Sequence, residues 1–156
     1  MINFFSKYYL YFFLVLYVYP CNGSVYHAVS SIPKFASVKC NNANVRQGPN
    51  INSPVIWQFI KKNEPIRIIA MYNHWFQIQD YENATGWIHS NLVSNSRFVI
   101  VNIESDMFSN KYEEASVIAK LVPKLRCSLL KSDKIMSYIC CNSYKGWVFN
   151  KNLWGI

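Results

Sequence analysis

The segment Val45-Arg46-Gln47-Gly48-Pro49, answered further along by Gly86-Trp87-Ile88, constrains this chain most, because both pieces return in weakened form in its second half. Ser53-Pro54-Val55-Ile56-Trp57 aligns with Ala115-Ser116-Val117-Ile118-Ala119, Gly86-Trp87-Ile88 with Gly146-Trp147-Val148, and Leu92 with Leu153, at a nearly constant offset of about sixty residues. Between these anchors Pro65-Ile66-Arg67-Ile68 faces Lys124-Leu125-Arg126-Cys127, and Trp75-Phe76-Gln77-Ile78 faces Met136-Ser137-Tyr138-Ile139. A unit of that length is too long for a solenoid repeat and suits a minimal domain with its own core. The 156 residues are therefore read as two small domains.

Within the first unit the hydrophobic pattern is that of short strands. Ser37 to Cys40 alternates weakly and leads into a turn over Asn41-Asn42-Ala43-Asn44; Val55 to Ile60 follows Ser53-Pro54; Pro65 to Met71 is rich in isoleucine. Trp75 to Gln79 places Phe76 and Ile78 on one face and Trp75, Gln77 and Gln79 on the other, as a half-buried strand does. No window of helical length carries an uninterrupted helical period. About five strands at regular spacing predict an all-β fold, a small barrel in each unit. Hydrophobic residues make up 51% of the chain and aromatic ones 17%, which excludes a disordered protein. The abundance of Asn, Lys, Ile and Tyr carries the imprint of an AT-rich genome and is not a sign of function.

The N-terminus has the layout of a secretory signal: Lys7, an apolar run from Tyr8 to Tyr19, then Pro20-Cys21-Asn22-Gly23-Ser24. The run falls short of the roughly 20 residues a membrane-crossing helix needs. Small residues at Cys21 and Gly23 favour cleavage after Gly23; a lipid on Cys21 and an uncleaved anchor are the alternatives. The expected layout is a signal peptide over 1–23, a spacer over 24–35, a first domain over 36–95 and a divergent second domain over 98–156. The short polar link after Leu92 implies two domains lying against each other. In an oxidising compartment, Cys40, Cys127, Cys140 and Cys141 are available to pair. Alternation puts Cys141 on the inward face with Ile139, making a Cys127–Cys141 bridge the favoured pairing, and the alternative is that Cys127 is simply a small buried hydrophobe.

The first repeat resembles a bacterial SH3-like domain. Asn44-Val45-Arg46-Gln47-Gly48-Pro49 matches the entry motif of that family, Ser53-Pro54-Val55 its next strand, Trp75-Phe76-Gln77-Ile78 its W-x-x-V strand and Gly86-Trp87-Ile88 its closing G-W-V. The whole chain is similar to exported bacterial proteins made of two SH3-like repeats, so the resemblance implies two tandem SH3-like β-barrels. In the second repeat Asp106-Met107-Phe108-Ser109 lacks the Arg-x-Gly-Pro turn, and Gly146-Trp147-Val148 is the firm match. Arg46, Gly48, Pro49, Gly86 and Gly146 are read as structural: Pro49 presets φ, Gly48 supplies positive φ, and Gly86 lets the last strand bend so that Ile88 points inward beside Ile78.

The resemblance implies binding of peptides, glycans or peptidoglycan across exposed aromatic side chains. Trp87, opposite the inward Ile88, leads the candidates, followed by Trp75 and Trp57. Leu92 stands where a proline-groove SH3 domain carries a tyrosine, which argues against ordinary PxxP recognition. The formal charge of +8, or +7 without Lys7, is spread along the chain and suits an anionic polymer. His27, His74 and His89 are isolated, with no metal-ligand spacing, so no metal or cofactor is expected and no catalytic residue is assigned. The charge would also allow nucleic acid, but the sequence has no helix-turn-helix, zinc-finger or RNA-binding signature and the chain is read as exported, so no nucleic-acid partner is expected. The expected function is non-catalytic binding in the cell envelope or periplasm, to peptidoglycan or an envelope protein. The alternatives are a targeting or regulatory subunit of a separate cell-wall hydrolase and a secreted factor acting on a host. No membrane span is expected after the signal is removed.

Overall fold

The computed structural model describes residues 32–156. The expected signal, its cleavage site and most of the spacer lie outside the described residues. The described chain is all-β apart from two single 3-10 turns. In chain order the first half contributes β1 (Lys34–Val38), β2 (Ala43–Arg46), β3 (Val55–Phe59), β4 (Pro65–Tyr72), β5 (Trp75–Gln79), β6 (Thr85–His89), a 3-10 turn at Ser90–Leu92, and β7 (Val93–Ser94). The second half contributes β8 (Phe98–Val101), β9 (Ser105–Phe108), β10 (Val117–Leu121), β11 (Arg126–Ser132), β12 (Met136–Cys141), β13 (Tyr144–Phe149), a 3-10 turn at Asn150–Asn152, and β14 (Leu153–Trp154).

These strands form two sheets of seven, in the orders β3-β2-β6-β5-β4-β1-β7 and β10-β9-β13-β12-β11-β8-β14, the same order displaced by seven strands. The register irregularities also correspond: one falls between Ile68 and Ala70 against β5, its counterpart between Leu129 and Lys131 against β12. A bulge adds twist and bend, which is how a short sheet curls about its own core. Each of the two sheets encloses such a core. Val38, Val45, Ile66, Ile68, Ile78 and Ile88 fill the first; Val99, Val101, Met107, Ile139, Val148 and the bonded pair Cys127–Cys141 fill the second. The pairing of Ser128 with Cys140 puts Cys127 directly across from Cys141, with Cα atoms 4.5 Å apart. Cys40 and Cys140 are unbonded and half-buried.

Three local expectations change. Lys34 and Phe35, read as spacer, already belong to β1. The turn read over Asn41–Asn44 ends at Asn42, because Ala43 and Val45 are fully buried and start β2. Gly48 does not adopt positive φ: among the described residues that conformation falls to Asn42, Asn63, Asn73, Asn83, Lys124, Asn142 and Gly155. Asparagine tolerates it because its short polar side chain bonds locally.

The outer strands β3 and β10 present solvent-facing apolar side chains, Val55 and Ile56 on one, Val117 and Ile118 on the other. Between the domains, the Arg97 guanidinium donates to the Gly155 carbonyl at 2.7 Å and lies over the Phe35 ring. Burial lowers the Arg97 pKa from the usual arginine value. Trp154 meets Phe35 edge-on at 5.1 Å and Tyr81 at 6.2 Å. Arg126 of the second domain pairs with Glu64 of the first. Gly155 is required where it stands: at φ 109° a Cβ would lie 2.7 Å from the Phe98 carbonyl oxygen.

Candidate ligand-binding face

Register determines which side chains share the outer face of the first domain. Trp75 pairs with His89, Gln77 with Trp87, and Trp87 in turn with Arg46 across the neighbouring strand. Since side chains alternate along a strand, Ile78 and Ile88 go to the core, while Gln77, Trp87 and Arg46 form a row outside it with Trp75 and His89 in the next row. All five are half-buried. They offer an indole face, a guanidinium and a side-chain amide side by side.

Gly86 makes the row possible. A Cβ there would lie 2.5 Å from Val45 Cγ1 and 3.0 Å from Ile56 Cδ1, so glycine lets β2 close onto β6. The reason is space between strands; the bend expected from the sequence is not what demands it. Gly146 has the same role, its missing Cβ being 2.4 Å from Met107 Cγ and 2.7 Å from the Phe108 carbonyl oxygen. Arg46 donates through Nη1 to the Ser53 carbonyl at 2.7 Å, clasping the loop that follows β2. Within that loop Asn50 N donates to the Gly48 carbonyl and Ser53 N to the Asn50 carbonyl, so Gly48 and Pro49 lie in a closed turn. The space beside Gly48 is tight, with Ser53 Oγ 3.0 Å from a hypothetical Cβ.

The structure brings Trp87 and Trp75 to one face and leaves Trp57 elsewhere. Trp57 packs against the first core, edge-on to Phe59, with its indole nitrogen buried and unpaired. His74 and His89, which sequence reasoning set aside, join the face: their ring centroids are 6.3 Å apart, and Trp75 meets His89 edge-on at 5.1 Å. His89 Nδ1 accepts from the Asn91 amide at 3.3 Å. Among the described residues no group of three or more His, Cys, Asp or Glu is placed to hold a metal ion, and no helix is long and apolar enough to cross a membrane.

The sequence reading missed the matching face of the second domain, where Phe108, Trp147, Tyr138 and Phe149 occupy the positions of Arg46, Trp87, Gln77 and His89. The signal was present in the repeat alignment, which places Trp147 on Trp87.

Residues 39–95 match the family model of the bacterial SH3 domain. No curated protein matches the chain. Among solved structures the chain is similar to NlpC2 from Trichomonas vaginalis at 12% identity and a TM-score of 0.37, covering 78% of this chain and 48% of that one. NlpC1 from the same organism gives 11% and 0.36, covering 78% and 45%. An NlpC/P60 family protein from Bacillus cereus gives 13% and 0.36, covering 78% and 56%. The chain thus spans about half the length of these structures.

Proposed function

We propose, from the premise that residues 39–95 are a bacterial SH3 domain, that the protein is a non-catalytic binding module of the cell envelope whose first domain holds peptidoglycan or an envelope protein. The observation that carries this reading is the row Arg46–Trp87–Gln77 with Trp75 and His89 beside it. An indole face accepts the apolar side of a sugar or peptide. A guanidinium pairs with carboxylates, and a side-chain amide serves ligand hydroxyl and amide groups. No carboxylate stands in either row, so the face is cationic in a protein whose formal charge is already +8. That combination suits an anionic wall polymer.

The test is co-sedimentation of residues 24–156 with purified sacculi at low and moderate salt, beside a Trp87→Ala variant. Retention that survives moderate salt and falls with Trp87→Ala is the expected result. Retention erased by salt alone, or none at all, overturns wall binding. Recovery of one stoichiometric protein in a pulldown would redirect the face to a protein partner such as a separate cell-wall hydrolase.

A further inference from the structure

His74 and His89 have no metal-ligand spacing in the sequence, yet the fold sets them side by side. Trp75 pairs with His89 across β5 and β6, so His74, the residue before Trp75, comes level with the end of β6. His74 lies in the turn between β4 and β5, where Asn73 takes positive φ, and its carbonyl accepts from Ser90 N at 2.8 Å. That bond ties the turn to the residue after His89, so the two backbones are held together whatever the rings do. The ring centroids are 6.3 Å apart and the ring planes are inclined by 34°. Trp75 backs His89 edge-on, while His74 is exposed, so its ring can turn.

Imidazole is the commonest protein ligand of transition metals, and its metal–nitrogen bonds are about 2 Å long. Two rings that share one ion therefore have centroids about 5–6 Å apart. The observed separation reaches that range with a small rotation of His74, within one rotamer well. Among the described residues neither ring is paired with a carboxylate, which would otherwise compete for it. The His89 ring has the 3.3 Å contact from the Asn91 amide to Nδ1. Ligation through Nε2 moves the proton of the neutral ring to Nδ1 and gives up that contact, with no net proton released.

Two protein ligands are too few for a structural zinc site, which takes four. They suit an ion that keeps water in its other positions, and imidazole selects Cu(II), Ni(II) and Zn(II) over Mg(II) and Ca(II). We propose that His74 and His89 chelate one such divalent transition-metal ion at the edge of the first-domain face. The second domain gives an internal contrast: Ile135 and Phe149 take the places of His74 and His89, and that pair offers no nitrogen. The site stands whether or not the first-domain face binds the wall.

The full chain is titrated calorimetrically with Ni(II) at about pH 8, where free imidazole is neutral. Ni(II) is chosen because Cu(II) would oxidise the free thiols of Cys40 and Cys140. Saturable binding of one ion is expected, together with quenching of indole fluorescence by the paramagnetic ion. Trp75→Phe should remove that quenching and keep the heat of binding, because Trp75 is the indole in contact with His89. His74→Gln and His89→Gln should each weaken binding at least about tenfold. His74 is exposed, so its replacement leaves the fold intact and reads the site directly. The inference is overturned by no saturable binding up to about 1 mM Ni(II), by binding that survives both histidine substitutions, or by quenching that Trp75→Phe leaves unchanged. Binding lost only with His27→Gln or Cys140→Ser overturns it as well. The titration uses no wall ligand, so it succeeds or fails independently of the sedimentation assay.

Discussion

At the scale of single residues, Asp133 shows how much one exposed carboxylate can organise. It accepts from the Ile135 and Met136 amides and binds Lys111, and the Lys111 hydrogen bond is the main reason its pKa lies below the ordinary carboxylate range. A depressed pKa means the native state favours the ionised form. The contribution is therefore complete above the unfolded value near 4 and is lost as pH falls through the folded value. Asp133→Asn should lower the melting temperature at neutral pH, and the gap to the unmodified protein should narrow as pH is brought down below about 4 in a thermal-melt series. None of this was legible in the sequence, where Asp133 is one acid in a basic run. Gly86 and Gly146 were legible as anchors of the repeat, though their cause is the closeness of β2 to β6 and of β9 to β13, which only the structure displays. Trp87 and Trp75 were legible as outward residues because alternation against Ile78 and Ile88 suffices. Trp57 was not, since its strand is covered on only one side and its apolar residues face both ways.

At the scale of elements, the strands with clean alternation were readable and the irregular ones were not. β5 and β6 follow from their pattern alone. β2 was hidden because its outward residues, Asn44 and Arg46, extend an asparagine run that looks like a turn, while buried Ala43 and Val45 are few. β1 was shortened because Lys34 and Phe35 are both half-buried and break the alternation. The second domain spends one core position on a covalent link between β11 and β12, where the first domain has Ile66. Closing a loop of 14 residues stabilises the folded state by about 3 kcal/mol. Reduction, or Cys127→Ser with Cys141→Ser, should lower the unfolding free energy of the second domain by roughly that amount. Urea titrations with and without reductant would show this as a lower midpoint of the unfolding transition. Unchanged stability of the second domain would mean that packing alone holds it.

At the scale of the whole molecule, the short link after Leu92 already implied contact between domains, and the contact exists. Its participants were not legible, because Phe35, Glu64, Tyr81, Arg97, Arg126 and Trp154 come from six separate stretches whose convergence depends on how both sheets curl. Trp154 touches two first-domain rings from the closing strand of the second domain. Trp154→Ala should uncouple the two, so that a single calorimetric unfolding transition becomes two. Retention of one transition would place the coupling in the Arg126–Glu64 and Arg97–Phe35 contacts.

The outer strands bring a different consequence. β3 and β10 end their sheets with one row of backbone donors and acceptors unclaimed by any neighbouring strand, and Val55, Ile56, Val117 and Ile118 make those edges adhesive. Exposed Lys61 and Lys62 beyond one strand and Lys120 within the other oppose such pairing by like-charge repulsion. Raising the ionic strength should therefore favour edge-to-edge self-association, as salt screens the lysines.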